Sequence, residues 1–154
     1  MLHHERVSAR MRAVRQANTG AELRVRRVLH ALGYRFRLHR IDLPGKPDIV
    51  LPKYKAVIFV HGCFWHRHAR CRKATAPKTN KEYWCAKFLA NVTRDRNDRR
   101  QLRALGWRNL VIWECWTIHA DKLERRLERF LRSGCSGTAK RAKNEPALQF
   151  STSL

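Results

Sequence analysis

A short apolar run that ends in a dense group of metal-ligating and aromatic residues constrains this chain most. Residues 57–60 are all apolar and mostly β-branched, which is typical of a buried β-strand. The next eleven residues, 61–71, contain three histidines, two cysteines and two large aromatic rings. Folding alone does not require this mixture. The sequence therefore predicts a β-sheet with a functional site at the end of one strand.

The charge of the chain indicates a polyanionic partner. The 34 Lys and Arg residues against 12 Asp and Glu give a formal net charge of +22, and the basic residues occur in every segment. Such an excess most often serves nucleic-acid binding. The alternative is a basic protein whose charge only keeps it in solution.

Length and composition predict one globular domain without a membrane span. The 154 residues can build a genuine core, and 44% are apolar. The chain has no apolar run long enough to cross a bilayer and no signal-peptide pattern at its N-terminus. We therefore expect a cytoplasmic protein, whose five cysteines are metal ligands or free thiols rather than disulfides.

The hydrophobic pattern predicts an α/β domain with a small central mixed β-sheet flanked by helices on both sides. A capping box at Thr19–Glu22 predicts the start of the first helix, and Gly33 its end. The further predicted elements are strands at 34–39, 48–51, 55–60 and 107–113, a long helix at 81–105 and a last helix around 123–131. We expect a basic, DNA-contacting arm over residues 1–18, the domain over 19–132, and a disordered tail over 133–154.

The cysteines and histidines after the third strand predict a zinc site. Tetrahedral zinc takes four Cys or His ligands, and two combinations fit the spacing. The local set is Cys63, His66, His68 and Cys71. The other set is Cys63, one histidine, Cys71 and Cys115, which would join two strands and leave a histidine free. Spacing alone does not choose between them.

Acidic residues are scarce, so each one is informative. Asp48 opens a strand after a Pro-Gly-Lys-Pro turn, and it is either a Mg²⁺ ligand or a turn residue. Glu22 fits the capping box. Asp95 and Asp98 are expected to pair with nearby arginines of the long helix.

The aromatic residues near the strand end suit DNA contacts. Phe64 and Trp65 lie outside any helical or strand period, and rings beside basic residues can wedge between base pairs. The alternative is packing around a metal site. Trp84 fits either a wedge or the apolar stripe of the long helix, and Cys85 is expected in the core.

With these residues in hand, the chain resembles the very short patch repair (Vsr) endonucleases over about residues 8–130. The similarity is carried in order by Met11-Arg12-Ala13-Val14, Thr19-x-x-Glu22, Leu43-Pro44-Gly45-Lys46-Pro47-Asp48, Phe59-Val60-His61-Gly62-Cys63-Phe64-Trp65-His66, Asn91-Val92-x-Arg94-Asp95, Leu105-Gly106-Trp107-Arg108 and Trp113-Glu114-Cys115. The resemblance implies a restriction-endonuclease-like fold. It also implies a strand-specific nick beside the T of a T:G mismatch, the product of 5-methylcytosine deamination.

The resemblance also implies the catalytic residues. Asp48 would bind a catalytic Mg²⁺ together with the backbone carbonyl of Val60. His66 would act as the general base or proton relay for the attacking water. Glu22 and His61 would support the active site.

The remaining implied roles concern structure and DNA. A structural Zn²⁺ would be held by Cys63, His68, Cys71 and Cys115. The wedge beside the mismatch would comprise Phe64, Trp65 and Trp84, with Met11 from the N-terminal arm. The expected partner is double-stranded DNA with a T:G mismatch, mismatch-repair proteins are further candidate partners, and the protein is expected to be a monomer.

Two departures from the family pattern stand out. Val60 replaces a Thr of the best-known members, which keeps the backbone carbonyl and loses a hydroxyl. The Cys63–Cys71 interval is one residue longer than in some members, which predicts a bulge at 69–70.

Two other functions are compatible with the sequence. One is a zinc-stabilised mismatch-binding module without catalysis, and the other is an endonuclease of the same fold that cuts paired DNA.

Overall fold

A computed structural model describes residues 17–134, and its elements follow the predicted order. They are α1 (Gly20–Ala31), β1 (Arg37–Leu38), β2 (Ile49–Leu51), β3 (Ala56–His61), α2 (Lys81–Ala104), β4 (Arg108–Trp113) and α3 (Ala120–Arg132). Short 3-10 helices cover Pro52–Tyr54 and Glu114–Ile118. Most of the proposed N-terminal arm, including Met11, and nearly all of the proposed tail lie outside these residues. Within residues 17–134, no helix is both long and apolar enough to span a bilayer.

The four strands form one mixed sheet in the order β1-β2-β3-β4. β1, β2 and β3 are antiparallel neighbours, whereas β4 pairs in parallel with β3 after the α2 crossover. In that register His61 lies beside Trp113, so β3 and β4 end at the same edge of the sheet. Segments that follow the two strands therefore start side by side.

Two apolar cores cover the two faces of the sheet. On one face α1 and α3 pack against the sheet through a buried cluster of Val25, Leu29, Ile49, Leu51, Ala56, Ile58, Ile112, Leu123, Leu127 and Leu131. On the other face α2 contributes Leu102 to a second buried cluster with Leu43, Val50, Val57, Phe59 and Trp107. The predicted mixed α/β architecture, with helices on both sides of the sheet, is confirmed.

The predicted N-terminal cap of α1 is present in full. The Thr19 hydroxyl accepts from the Glu22 backbone N–H, and the Glu22 carboxylate accepts from the Thr19 backbone N–H. Gly33, at a φ of +80°, ends the helix in the left-handed conformation that glycine adopts without strain. This cap fixes the carboxylate of Glu22 at the start of the helix.

Two predictions about apolar patterns were wrong. The strand predicted at 34–39 is reduced to Arg37–Leu38, because the pairing with β2 extends over only two residues. Cys85 is exposed rather than in the core, and its neighbour Leu89 is 68% exposed. The reason is length: α2 has 24 residues, about 36 Å, while the six residues of β3 span about 20 Å.

Candidate active site and metal-binding clusters

Four potential metal ligands meet where β3 and β4 end. Cys63 follows β3 by two residues, and Cys115 follows β4 by two residues. The ligand atoms of Cys63, His68, Cys71 and Cys115 all lie within 4.8 Å of one another. Nδ1 of His68 is 3.6 Å from the Cys63 sulfur and 3.3 Å from the Cys115 sulfur. We call these four residues the cysteine cluster.

The cysteine cluster has the composition and spacing of a tetrahedral zinc site. Ion-to-ligand lengths of about 2.3 Å for sulfur and 2.05 Å for nitrogen imply a sulfur-to-nitrogen edge of about 3.6 Å. The two separations, 3.6 Å and 3.3 Å, are close to that value. Three thiols and one imidazole are a common donor set of structural zinc sites. The donor set and these two separations therefore fit zinc.

Local backbone hydrogen bonds hold the loop between the ligands. The His68 backbone N–H donates to the Cys63 carbonyl at 3.0 Å, and the Cys71 N–H donates to the His68 carbonyl at 3.3 Å. Arg70 adopts a φ of +57°, at the predicted position of the bulge. Burial raises the pKa of Cys63 to about 12 and also raises that of Cys115, whereas a backbone hydrogen bond to Lys73 lowers that of Cys71.

His66, the other histidine considered for zinc, belongs to a separate cluster. Its Nδ1 lies 2.6 Å from the Asp95 carboxylate, and its ring stacks on His61 with centroids 3.8 Å apart. His61 Nδ1 is 4.0 Å from the same carboxylate. We call these three residues the histidine–aspartate cluster. The structure thus brings Cys115 to the cysteine cluster, as in the second zinc set.

The histidine–aspartate cluster can hold one imidazole ready to accept a proton. A carboxylate at Nδ1 favours the tautomer with hydrogen there, which leaves the His66 Nε2 lone pair available. Burial alone would raise the pKa of Asp95, but the hydrogen bond with His66 lowers it below its ordinary value. Burial, assisted by His66, lowers the pKa of His61 to about 3 and keeps that ring neutral.

Asp95 corrects one prediction from the sequence. It was expected to pair with an arginine of its own helix, yet its carboxylate binds a histidine 29 positions away. Helical spacing favoured the arginines, and only the packing of α2 against the loop after β3 reveals the true partner.

A third group of potential ligands lies between α1 and the start of β2. Ligand atoms of Glu22, His39 and Asp48 lie within 4.8 Å of one another, and we call these residues the carboxylate cluster. Asp48 Oδ2 accepts from the backbone N–H of Val60 at 2.7 Å. Burial raises the pKa of Asp48 to about 6, although that hydrogen bond opposes the rise.

Glu22 is 2% exposed and is held from several sides. Its Oε2 accepts from the Asn18 backbone N–H at 3.0 Å and from Arg26 Nη2 at 2.9 Å. The same Arg26 nitrogen lies 3.0 Å from His39 Nε2. His39 was not predicted from the sequence, because it reaches this cluster only through the pairing of β1 with β2.

The carboxylate cluster has oxygen donors of the kind Mg²⁺ prefers. Asp48 is partly buried beside a second carboxylate, Glu22, which is one cause of the raised pKa of Asp48. A divalent cation would offset that repulsion, since Mg²⁺ binds through one or two carboxylates while keeping several waters. The donor set therefore fits the ion.

The predicted wedge residues form one aromatic cluster at the start of α2. Phe64 contacts Trp65, Trp84 and Phe88 with ring centroids 5.1 to 5.7 Å apart. The Trp65 carbonyl accepts from the Asn91 side chain at 3.2 Å, which ties the loop to α2. The three predicted rings are only partly buried. Met11 lies outside the described residues.

Basic side chains near these rings add positive charge. Lys87 Nζ lies 5.9 Å from the Trp65 centroid, 5.6 Å from that of Tyr83 and 6.0 Å from that of Trp84. The Arg67 guanidinium lies 4.5 Å from the Phe88 centroid. Rings and cations together make a surface that suits a polyanion with stacked bases.

Comparisons with known proteins place these clusters in a wider context. The model of the family described as DNA mismatch endonuclease Vsr matches residues 1–73. The chain is 49% identical to the type II nicking enzyme V.XorIIP of Xanthomonas oryzae pv. oryzae, over 84% of this chain and 95% of that protein. It is 44% identical to the DNA mismatch endonuclease Vsr of Escherichia coli, over 75% of this chain and 74% of that protein.

A solved structure shares the fold. The catalytic domain of the homing endonuclease I-Bth0305I superposes with a TM-score of 0.55, covering 76% of this chain and 98% of that domain. At a sequence identity of 22%, the likeness is one of fold.

Proposed function

This chain belongs to the Vsr family of DNA endonucleases, and from that premise we propose that it nicks one strand of duplex DNA beside the T of a T:G mismatch in a Mg²⁺-dependent reaction. One observation carries the proposal. The Asp48 carboxylate is anchored to the Val60 backbone N–H, and the next residue, His61, stacks on His66. A candidate cation ligand and a candidate base thus lie at the end of the same strand.

His66 is the proposed general base. Hydrolysis of a phosphodiester needs an attacking water that loses a proton, and a neutral imidazole accepts one near pH 7. Asp95 would hold the Nδ1–H tautomer, so that Nε2 of His66 takes the proton. Stacked against His66, the buried and neutral ring of His61 would fix the plane of the base.

Asp48 and the backbone carbonyl of Val60 are the proposed Mg²⁺ ligands. When bound, the ion supplies a Lewis acid that stabilises the negative charge of the transition state. The Val60 N–H bond fixes the Asp48 side chain before any ion arrives. Glu22 would support the site from the capped start of α1, where Arg26 balances its charge.

A structural Zn²⁺ in the cysteine cluster is the second proposed cofactor. Its ligands would be Cys63, His68, Cys71 and Cys115, which follow two neighbouring parallel strands. The ion would tie the loop that carries Phe64, Trp65 and His66 to the end of β4. The position and rigidity of that loop would then determine where the general base His66 and the wedge residues contact DNA.

The aromatic cluster is the proposed reader of the mismatch. A mispaired step costs less to unstack than a paired one, so rings that wedge between bases favour a mismatch. Phe64, Trp65 and Trp84 would form this wedge, and Met11, on the proposed arm of residues 1–18, would approach the same step from the other side. The net charge of +22 would attract the duplex at a salt-dependent affinity.

The decisive experiment compares duplexes that differ at a single pair. Duplexes with a T:G, T:A or C:G pair in a varied flank, each strand labelled separately, are incubated with zinc-loaded protein and Mg²⁺. We expect a nick confined to the T strand of the T:G duplex and dependent on Mg²⁺. Equal cutting of the paired duplexes would replace the proposal with a restriction-type activity. Tight mismatch binding without any cutting would replace it with a binding module.

A further inference from the structure

His39 gives the carboxylate cluster a nitrogen donor beside two carboxylates. The ligand atoms of Glu22, His39 and Asp48 lie within 4.8 Å of one another. Mg²⁺ strongly prefers oxygen donors, whereas imidazole nitrogen suits Fe²⁺, Ni²⁺, Cu²⁺ and Zn²⁺. The chemistry of the cluster therefore differs from that of a plain Mg²⁺ site.

Arg26 shows which nitrogen of His39 faces the cluster. Its Nη2 is 3.0 Å from His39 Nε2 and 2.9 Å from Glu22 Oε2. A guanidinium only donates hydrogen bonds, so Nε2 is the acceptor and its lone pair faces Arg26 Nη2, with Glu22 Oε2 3.8 Å from Nε2. Arg26 thus already places a positive group against the nitrogen and one of the two carboxylates that a metal cation would contact.

Arg26 could give up its hydrogen bond to His39 in favour of a metal cation and still be held in place by its other hydrogen bonds. Its Nη1 also donates to the Asn18 side chain at 2.8 Å. A cation that takes the Nε2 lone pair would replace one hydrogen bond of Arg26 and leave this second anchor in place. The His39 side chain keeps 36% of its surface exposed, so the cluster is open to ions from solvent.

We propose that His39 is a nitrogen ligand of the cation site, so that this site binds first-row transition cations more tightly than Mg²⁺. The proposal rests on the assignment of Asp48 as a cation ligand and adds the choice of cation. In a cell, Fe²⁺ or a cation of similar chemistry would then compete with Mg²⁺ for the nuclease.

The test uses Co²⁺, whose paramagnetism reports a bound imidazole. Zinc-loaded protein, freed of other divalent ions, is titrated with Co²⁺ and separately with Mg²⁺ by calorimetry. Proton spectra of the Co²⁺ form are searched for a strongly shifted, exchangeable ring N–H signal. Three variants are compared with the unmodified chain: His39→Gln, Asp48→Asn, and His30→Gln as a control at an exposed histidine on α1.

We expect Co²⁺ to bind more tightly than Mg²⁺ and to give the shifted imidazole signal. His39→Gln, whose amide oxygen can still accept from Arg26, should lose that signal and weaken Co²⁺ binding about tenfold or more. The Mg²⁺ affinity should change less than the Co²⁺ affinity. His30→Gln should match the unmodified chain in both measurements.

Other results separate this inference from the proposed function. Unchanged Co²⁺ affinity and an unchanged signal in His39→Gln, with Co²⁺ binding lost in Asp48→Asn, would overturn the role of His39 and leave Asp48 as a cation ligand. Unchanged binding of both ions in Asp48→Asn would overturn both assignments. The nicking of T:G duplexes with Mg²⁺ is scored independently of these titrations.

Discussion

The cysteine cluster and the carboxylate cluster differ in what their side chains do in the protein itself. Within residues 17–134, the potential ligands of the cysteine cluster face mainly one another, with Nδ1 of His68 3.3 Å from the Cys115 sulfur. In the carboxylate cluster, Asp48 accepts from Val60 and Glu22 accepts from Arg26. Under the proposed function, a metal would hold the side chains of the cysteine cluster together, whereas hydrogen bonds within the protein already hold those of the carboxylate cluster.

From this difference we expect a structural role for the cysteine cluster and a catalytic role for the carboxylate cluster. A structural metal site rarely forms before its ion, so binding energy contributes directly to folding. A catalytic site instead keeps its ligands in position through hydrogen bonds, which leaves the ion free to interact with water and substrate. Loss of the cysteine cluster should therefore damage the fold, whereas loss of the Asp48 carboxylate, which takes no part in the cap of α1, should damage mainly the reaction.

The largest expected effect comes from Cys115→Ser. Zinc would lose the ligand that joins the loop after β3 to β4, and we expect zinc content to fall sharply with a loss of about 4 kcal/mol or more in folding stability. Metal analysis and thermal unfolding measure this. Cys85→Ser, at an exposed thiol on α2, is the matched control and should retain both zinc and stability. Full zinc content and stability in Cys115→Ser would remove Cys115 from the site.

His66→Gln should lower the nicking rate by about 10² to 10⁴, the usual contribution of a general base. The fold and the affinity for mismatched duplex should be retained, because His66 lies outside the cysteine cluster. Single-turnover nicking measures the rate, and gel-shift titration measures the affinity for mismatched duplex. A parallel loss of zinc would instead assign His66 to the metal and erase the distinction between the clusters.

Asp95→Asn should have a smaller effect on the same step. The amide cannot hold the His66 ring as the carboxylate does, and we expect a loss of roughly 10- to 100-fold in the nicking rate. Asp95→Glu should recover part of it. Asp121→Asn, at an exposed salt bridge of α3, provides the control. If Asp95→Asn nicks like the unmodified chain, the hydrogen bond at 2.6 Å has no catalytic role.

The smallest effect is expected for Trp65→Ala, on mismatch affinity. Loss of one stacked ring should weaken binding by about 1 to 3 kcal/mol. Saturating protein should largely restore the nicking rate. Ile118→Ala, at a side chain 59% exposed on the 3-10 helix after β4, serves as the control. Equal weakening of T:G and T:A binding would make the wedge a general DNA contact rather than a mismatch reader.

Much of the fold was predictable because the local signals agreed with the packing. The Thr19–Glu22 cap, the buried run before His61 and the glycines at helix ends each determine one element by local chemistry. The family relation inferred from the His-Gly-Cys-Phe-Trp-His string is confirmed by relatives of 49% and 44% identity. The exposed half of α2 was not predictable, because its apolar stripe extends past the sheet it was expected to cover.

The sites were predictable only in part, for a related reason. Asp48 was a candidate ligand because acidic residues are scarce, and Cys63 and Cys115 were candidates because each follows a predicted strand. Spacing left two zinc sets open, and the parallel pairing of β3 with β4 brings together the set that includes Cys115. His39 and Asp95 were missed because their partners are distant in sequence and are reached only through tertiary packing.

If the carboxylate cluster serves the reaction and the cysteine cluster serves the fold, Asp48→Asn should abolish nicking and leave the fold intact. The variant is measured beside the unmodified chain for zinc content, thermal midpoint, affinity for a T:G duplex, and nicking of its T strand with Mg²⁺. We expect unchanged zinc content, a retained fold and retained mismatch binding, with nicking reduced more than about a hundredfold. Nicking at the unmodified rate by a folded, zinc-loaded Asp48→Asn protein would contradict it.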